Sequence, residues 1–500
     1  MTHQFPALII VLPLISSLLV ALVGWFKRNL CYPIILVTLS VAGYWSVKVL
    51  IRVIETGTIS YRIGGWMPPF GIELRIDHLN AMVLVVIFTV ALLNLISGQA
   101  RVQQEFREKT GAFYALYGLF VTGLAGMTIT GDVFNLYVLL EITALTGYAL
   151  IGIGKGHAAL ASLNYVLMGT IGASFYLLGV GYVYIATGSL NMADLSHILP
   201  NLRGAPVLMF AFMLILGGLL IKMALFPLHV WLPNAYSCSP SVAGGLVAPL
   251  TTKVMVYVMI RIGLFVFRPE FTFSNVILNQ LMVWLAVIAI VAGSILALAQ
   301  KRLTRMISYI IVAEIGYLVG GFWLNQESGM IGAILHIVND AAMTLCLFLV
   351  AASILYRVGS DRLSDLRGLF RRMPVTMTFF IVGAFAIIGV PPSCGFFSKW
   401  YLIKGGLAAG HYHFVAALIF SSLINVVLFF RILEIAYFEP ASELHNSHHG
   451  SSGSINFQEA PLSILAPVAA SAILLILLGI CTKPIVETVI LNALLPLSYF

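Results

Sequence analysis

Four charged residues lie inside strongly apolar stretches of this 500-residue chain: Glu141, Lys222, Lys253 and Lys399. A charge at bilayer depth costs about 2.5–3.5 kcal/mol to insert, so it marks an ion or proton path more often than a structural tie. Spread over four separate apolar segments, these residues suggest a relay rather than one binding site. Lys222 is the natural partner of Glu141, which stands in ITGDVFNLYVLLEITALTGYALIG. Burial favours a neutral lysine and a neighbouring carboxylate favours a charged one, so making and breaking such a pair loads and releases a proton. The pair titrates as one unit. Lys253, in VAPLTTKVMVYVMIRIG, shares roughly one helical face with Arg261. Arg261 lies nearer the end of its segment and reads as a side chain that snorkels to the interface.

Three further residues are candidate carriers. His229 directly follows a proline break, and its near-neutral reference pKa suits a shuttle. His336 and Asp340, in ILHIVNDAAMTLCLF, are four residues apart and share a helical face, with Thr344 one turn on. That stripe reads as a proton wire, with a structural hydrogen-bonded pair as its rival. Glu314 is weaker, a single carboxylate with no evident partner. Asp132 and Lys155 fall near span ends and read as interfacial.

The elements that must position these residues are membrane helices. The chain is 60% hydrophobic and 9% charged, and its mean hydropathy is +1.01. Apolar stretches of about 20 residues, each enough to cross a ~30 Å hydrocarbon core, recur along it. They predict about fourteen spans, near 5–26, 30–54, 76–97, 112–131, 133–152, 159–186, 205–228, 242–267, 274–299, 303–324, 328–355, 375–403, 413–435 and 461–481. Leu8 to Trp25 lacks the basic flank and cleavage site of a secretion signal and reads as a retained first helix. Two spans are broken. One reads KMALFPLHVWLPNAYSCSP, with Pro227, Pro233 and Pro240; the other reads GVPPSCGFFSK, with Pro391 and Pro392. Proline removes a helix hydrogen bond, and at membrane depth such breaks persist only inside protein or along a wet cavity. Each break has a lysine beside it, Lys222 and Lys399, as in transporters built from inverted repeats.

The formal charge of +8 does not indicate nucleic-acid binding, because the basic residues are scattered through short loops. Their bias reports topology. Fifteen Lys and Arg flank the loops after odd-numbered spans and eight the others. This places the odd loops in the cytoplasm and both termini outside. Five cysteines without a CxxC pair read as packing residues. With no phosphate loop, haem motif or Ser-His-Asp set, chemistry by this chain alone is not expected, and no cofactor or metal is. The polar stretch 439–460, with His445, His448 and His449, reads as a solvated linker.

At these residues the chain resembles the antiporter-like subunits shared by respiratory complex I, membrane-bound hydrogenases and multisubunit Mrp-type cation/proton antiporters. The resemblance runs over roughly 70–405 and rests on ordered passages: Asp77-His78-Leu79-Asn80, GDVFNLYVLLEI, KMALFPLHVWLPNAY, TTKVMVYVMIR, KRLTRMISY, HIVNDA and GVPPSCGFFSK. It implies an all-α integral membrane fold of about fourteen transmembrane helices, with two broken helices and two inverted five-helix repeats, at 112–267 and 274–435. It assigns the family's glutamate to Glu141 and its three lysines to Lys222, Lys253 and Lys399. It further implies hydrophobic partner subunits, membrane lipids, H⁺ and a monovalent cation such as Na⁺, and the inner (plasma) membrane of a prokaryote. The D-type member of the Mrp-type antiporters is the nearest match, with a redox-driven pump subunit as the alternative. Two residues depart from the family pattern. Asp340 replaces a second histidine and Thr344 a lysine, and the aspartate is expected either to alter ion preference or to keep a neighbouring histidine charged.

Overall fold

The computed structural model describes residues 4–202, 204–438 and 458–495; the three histidines at 445, 448 and 449 lie outside these. In hydrocarbon a backbone must satisfy its own N–H and C=O groups, so each apolar stretch becomes a helix. The membrane helices are α1 (Phe5–Phe26), α2 (Cys31–Thr56), α3 (His78–Glu105), α4 (Thr110–Ile129), α5 (Val133–Gly152), α6 (Ala158–Thr187), α7 (Pro206–Met223), α8 (Trp231–Cys238), α9 (Ser241–Arg261), α10 (Val276–Leu298), α11 (Leu303–Trp323), α12 (Glu327–Val358), α13 (Pro374–Ile388), α14 (Cys394–Ala408), α15 (Tyr412–Phe438) and α16 (Leu462–Ile480). Among the described residues, thirteen helices are long and apolar enough to cross a membrane. The expected span at 375–403 is not one of them. It divides at its prolines into α13 and α14, each 15 residues and so about 22 Å long, which cross only in series.

The other break separates α7 from α8. Both first halves end in the left-handed region, at Gly389 (φ 90°) and at Ala224 (φ 61°). Glycine takes that conformation freely, whereas alanine is strained there. Both breaks also contain a cis X–Pro bond, Phe226–Pro227 and Pro391–Pro392.

One backbone arrangement occurs twice. At the start of α5, Val133 N–H donates to Leu190 O and Met192 N–H to Gly131 O; at the start of α11, Leu303 N–H donates to Asp361 O and Leu363 N–H to Lys301 O. Each pairing ties a helix to the segment that follows the next one, beyond Gly188 after α6 and Gly359 after α12. The centre of the bundle is α9, buried from Val242 to Arg261 and packed on α3, α12 and α7. A two-stranded hairpin, β1 (Ile59–Arg62) with β2 (Glu73–Ile76), is a small departure from the all-helical expectation. It hangs on Asp77, which caps α3 through the N–H groups of Leu79 and Asn80.

Candidate functional site

Lys222 lies in the last turn of α7, where unpaired carbonyls and the helix dipole favour a cation. Its Nζ is 3.4 Å from Oε1 of Glu141 on α5. That is longer than the ~2.8 Å of a tight charge-assisted bond, so the contact is loose. Lys222 is 5% exposed and Glu141 27%. The glutamate shares its face of α5 with the exposed side chains of Phe134, Val138 and Leu145.

The middle of the site is Lys253. Its Nζ is 3.0 Å from Asp340 Oδ2, and the two side chains are 2% and 1% exposed. It also donates to Thr344 Oγ1 at 3.3 Å and to Ala248 O at 3.4 Å, while the Thr344 hydroxyl donates to Asp340 Oδ1 at 2.9 Å. Asp340 Oδ2 takes no aligned hydrogen bond, so its contact with Lys253 is an ion pair governed by distance rather than direction. Both departures from the family pattern therefore turn on one lysine. Among the described residues the contact partners of Asp340 are Lys253 and Thr344, not a histidine.

His336, one turn before Asp340 on α12, looks elsewhere. Its Nε2 is 2.5 Å from Glu314 Oε2 on α11 and its Nδ1 2.8 Å from Ser398 Oγ on α14. Glu314 thus has the partner that the sequence did not reveal. The neighbouring Lys399 donates to Ile387 O at 2.5 Å and to Ser422 Oγ at 3.3 Å, and stands 5.1 Å over the Tyr317 ring. Ile387 lies in the last turn of α13, so the ammonium caps a half-helix whose carbonyls the break has freed. No carboxylate forms an ion pair with Lys399 among the described residues.

These groups follow one another through the bundle. Between Glu141–Lys222 and Lys253–Asp340 stands an aromatic wall. Tyr148 meets Tyr165 edge-on at 4.5 Å, Tyr165 stacks on Trp231 at 4.1 Å, and Trp231 meets Tyr236 at 6.1 Å. The Trp231 indole N–H donates to Ile221 O at 3.1 Å, closing the end of α7. Tyr236 lines a cavity of about 290 Å³ with Ser237, Ser241, Lys155, Arg302 and Asp361, on the face of the odd-numbered loops. From Asp340 to His336 the step is one turn of α12, a rise of about 6 Å.

Two sequence readings end differently. His229 stacks on Phe226 at 4.9 Å, and its buried Nδ1 has no hydrogen-bond partner. The structure joins it to none of the ion pairs. Arg261 does not snorkel: it is 3% exposed and forms an ion pair with Asp77. The rule that intramembrane charges need partners would have found both Glu314 and Arg261.

Residues 130–425 match the family model described as NADH:quinone oxidoreductase/Mrp antiporter, TM. The chain is 40% identical to NADH-quinone oxidoreductase subunit N of Desulforudis audaxviator (strain MP104C), over 99% of each chain. It is 28% identical to the D-type component of the Na(+)/H(+) antiporter of Bacillus subtilis (strain 168), over 96% of this chain and 94% of that one. Among solved structures it is similar to a chain of the membrane-bound sulfane sulfur reductase, an archaeal respiratory membrane complex. That likeness has a TM-score of 0.89 and 30% identity, and covers 98% of this chain and 97% of that one.

Proposed function

The chain belongs to the NADH:quinone oxidoreductase/Mrp antiporter family, and from that premise we propose that it is the proton-translocating subunit of a multisubunit membrane complex. Glu141–Lys222, Lys253–Asp340 and Glu314–His336 with Lys399 hold the proton in turn. The observation that carries this reading is the succession of three groups at membrane depth, each setting a carboxylate against a base.

The coupling is electrostatic. A proton reaching Asp340 cancels the charge that holds Lys253, and the freed ammonium then acts on its neighbours. One unit charge about 6 Å away shifts the energy of another by about 3 kcal/mol at an effective dielectric of 20, enough to reverse a loose ion pair. At 3.4 Å the Glu141–Lys222 contact is the loosest of the three pairs. The buried hydroxyls of Tyr236 and Thr251 support the step across the aromatic wall.

Glu141 also bears on assembly. A carboxylate on an exposed stripe of α5 at membrane depth cannot face lipid at acceptable cost, so a neighbouring subunit covers it. What drives the proton has two readings. The motifs favour exchange for Na⁺ or another monovalent cation, as in an Mrp-type complex. The 40% identity to an oxidoreductase subunit, against 28% to an antiporter subunit, favours a redox-driven pump.

Proton flux in vesicles containing the assembled complex tests all of this, energised either by a cation gradient or by an electron donor. Glu141→Ala and Lys222→Ala should each abolish flux under whichever drive works in the wild type. Unchanged flux in an assembled variant complex would reduce the chain to a membrane scaffold.

A further inference from the structure

Arg261 and Asp77 form a buried ion pair that the relay does not use. Arg261 ends α9, the helix that carries Lys253, and Asp77 caps α3. Lys253, Tyr257 and Arg261 follow one another at intervals of four residues. They therefore run along one side of α9, spanning about 12 Å. Beyond Arg261 a cavity of about 270 Å³ opens on the face of the even-numbered loops, lined by Arg75, His197, Arg261, Arg268 and Glu270. The Arg261 guanidinium forms part of its wall while being 3% exposed. One nitrogen engages Asp77, the Phe265 ring lies 4.7 Å from Cζ, and the buried Nε has no partner in the protein. Deeper in, the Tyr257 hydroxyl donates to Thr128 O at 2.7 Å. A polar cavity thus comes within little more than two helical turns of Lys253 and stops at an arginine.

We infer that the Arg261–Asp77 pair is a proton barrier closing Lys253 to the face of the even-numbered loops. A proton wire needs groups that both accept and release protons. A guanidinium in a protein does not release its proton, and it has no lone pair to accept another. Asp77 cannot stand in for it. Its oxygens accept from Leu79 N–H, Asn80 N–H and Arg261, so both are already engaged. The positive charges around the cavity also repel entering cations. The π-helical turn Ile262–Val266, directly after Arg261, widens the helix at the cavity wall. The inference rests on proton transfer through Lys253. If both faces reached that lysine at once, the relay would short-circuit the gradient it works with.

Passive decay of an imposed pH gradient in proteoliposomes of the purified complex, without coupling cation or electron donor, measures the barrier. Arg261→Lys keeps the positive charge opposite Asp77 but offers an ammonium that can lose a proton. It should raise the leak on the order of tenfold, the effect of lowering one step by a single decade in rate. The double variant Arg261→His/Asp77→Asn puts a group that both accepts and releases a proton where the guanidinium stood, leaves no unpaired carboxylate, and should leak as well; it decides the question if Arg261→Lys does not assemble. A wild-type leak in either variant, with coupled flux retained, overturns the barrier and makes the pair a structural tie. Failure of the wild-type complex to move protons under either drive would instead overturn the functional reading.

Discussion

Replacing Asp340 by asparagine removes the one carboxylate that the structure sets against Lys253. Three acceptors surround the ammonium: Asp340 Oδ2 at 3.0 Å, Thr344 Oγ1 at 3.3 Å and Ala248 O at 3.4 Å. Only the first carries charge. Removing one partner of a buried ion pair costs about 3–5 kcal/mol, because the other is left uncompensated in a low dielectric. Lys253, 2% exposed, has no water-facing escape from that loss. The relay then lacks its central ion pair. At about 1.4 kcal/mol per decade, the lower figure alone is a fall in proton flux on the order of 100-fold. Thr344→Val supplies the scale for a neutral contact. It deletes two hydrogen bonds worth about 1 kcal/mol each and should slow transport by at most about 30-fold, less than the asparagine does. Asp340→Glu keeps the charge and should retain part of the activity. The assay is cation- or donor-driven acidification in proteoliposomes, normalised to assembled complex. Near wild-type flux in Asp340→Asn would refute the reasoning, and so would a Thr344→Val defect as deep as the asparagine's.

Glu314→Gln should damage transport far more than Ser398→Ala, although both contact His336, because only the first removes a carboxylate that can receive or hold a proton beside the imidazole; initial rates of proton flux compare the two, and equal defects would point to ring orientation instead. Cys238 is half-buried on the wall of the cavity facing the odd-numbered loops, and Cys481 is exposed at the end of the last apolar helix, while Cys31, Cys346 and Cys394 are buried. A membrane-impermeant maleimide added to intact cells should label Cys481 and spare Cys238, with the reverse in inverted vesicles; labelling of Cys238 from outside would overturn the orientation read from the loop charges.

The local parts of this protein are legible in its residues. Each helix is announced by an apolar run long enough to satisfy its own backbone in hydrocarbon. Both breaks are announced by proline, which lacks the N–H that a helix needs. Even the split of the 375–403 span into two halves follows from Pro391 and Pro392. Glu141, Lys222, Lys253 and Lys399 stand out for the same reason, since a charge among apolar neighbours is a departure visible one residue at a time. The Glu141–Lys222 pairing was readable as well, because a lone carboxylate and a lone lysine left few other choices.

Beyond that, the pairing of charges was a matter for the tertiary structure. Periodicity tells which residues share a helical face, and it placed His336 and Asp340 together; it does not tell what the face meets. In the folded chain the histidine turns to Glu314, 22 residues earlier, and the aspartate to Lys253 on α9. Arg261 could be read as snorkelling only until Asp77, 184 residues away, was seen to reach it. Ion pairing depends on distances of a few ångströms between helices, and these follow from how the helices pack rather than from the order of their residues. The sequence therefore determined that this chain carries charge through a membrane interior. Only the fold decided which charges face one another, and the proposed relay and barrier both rest on that pairing.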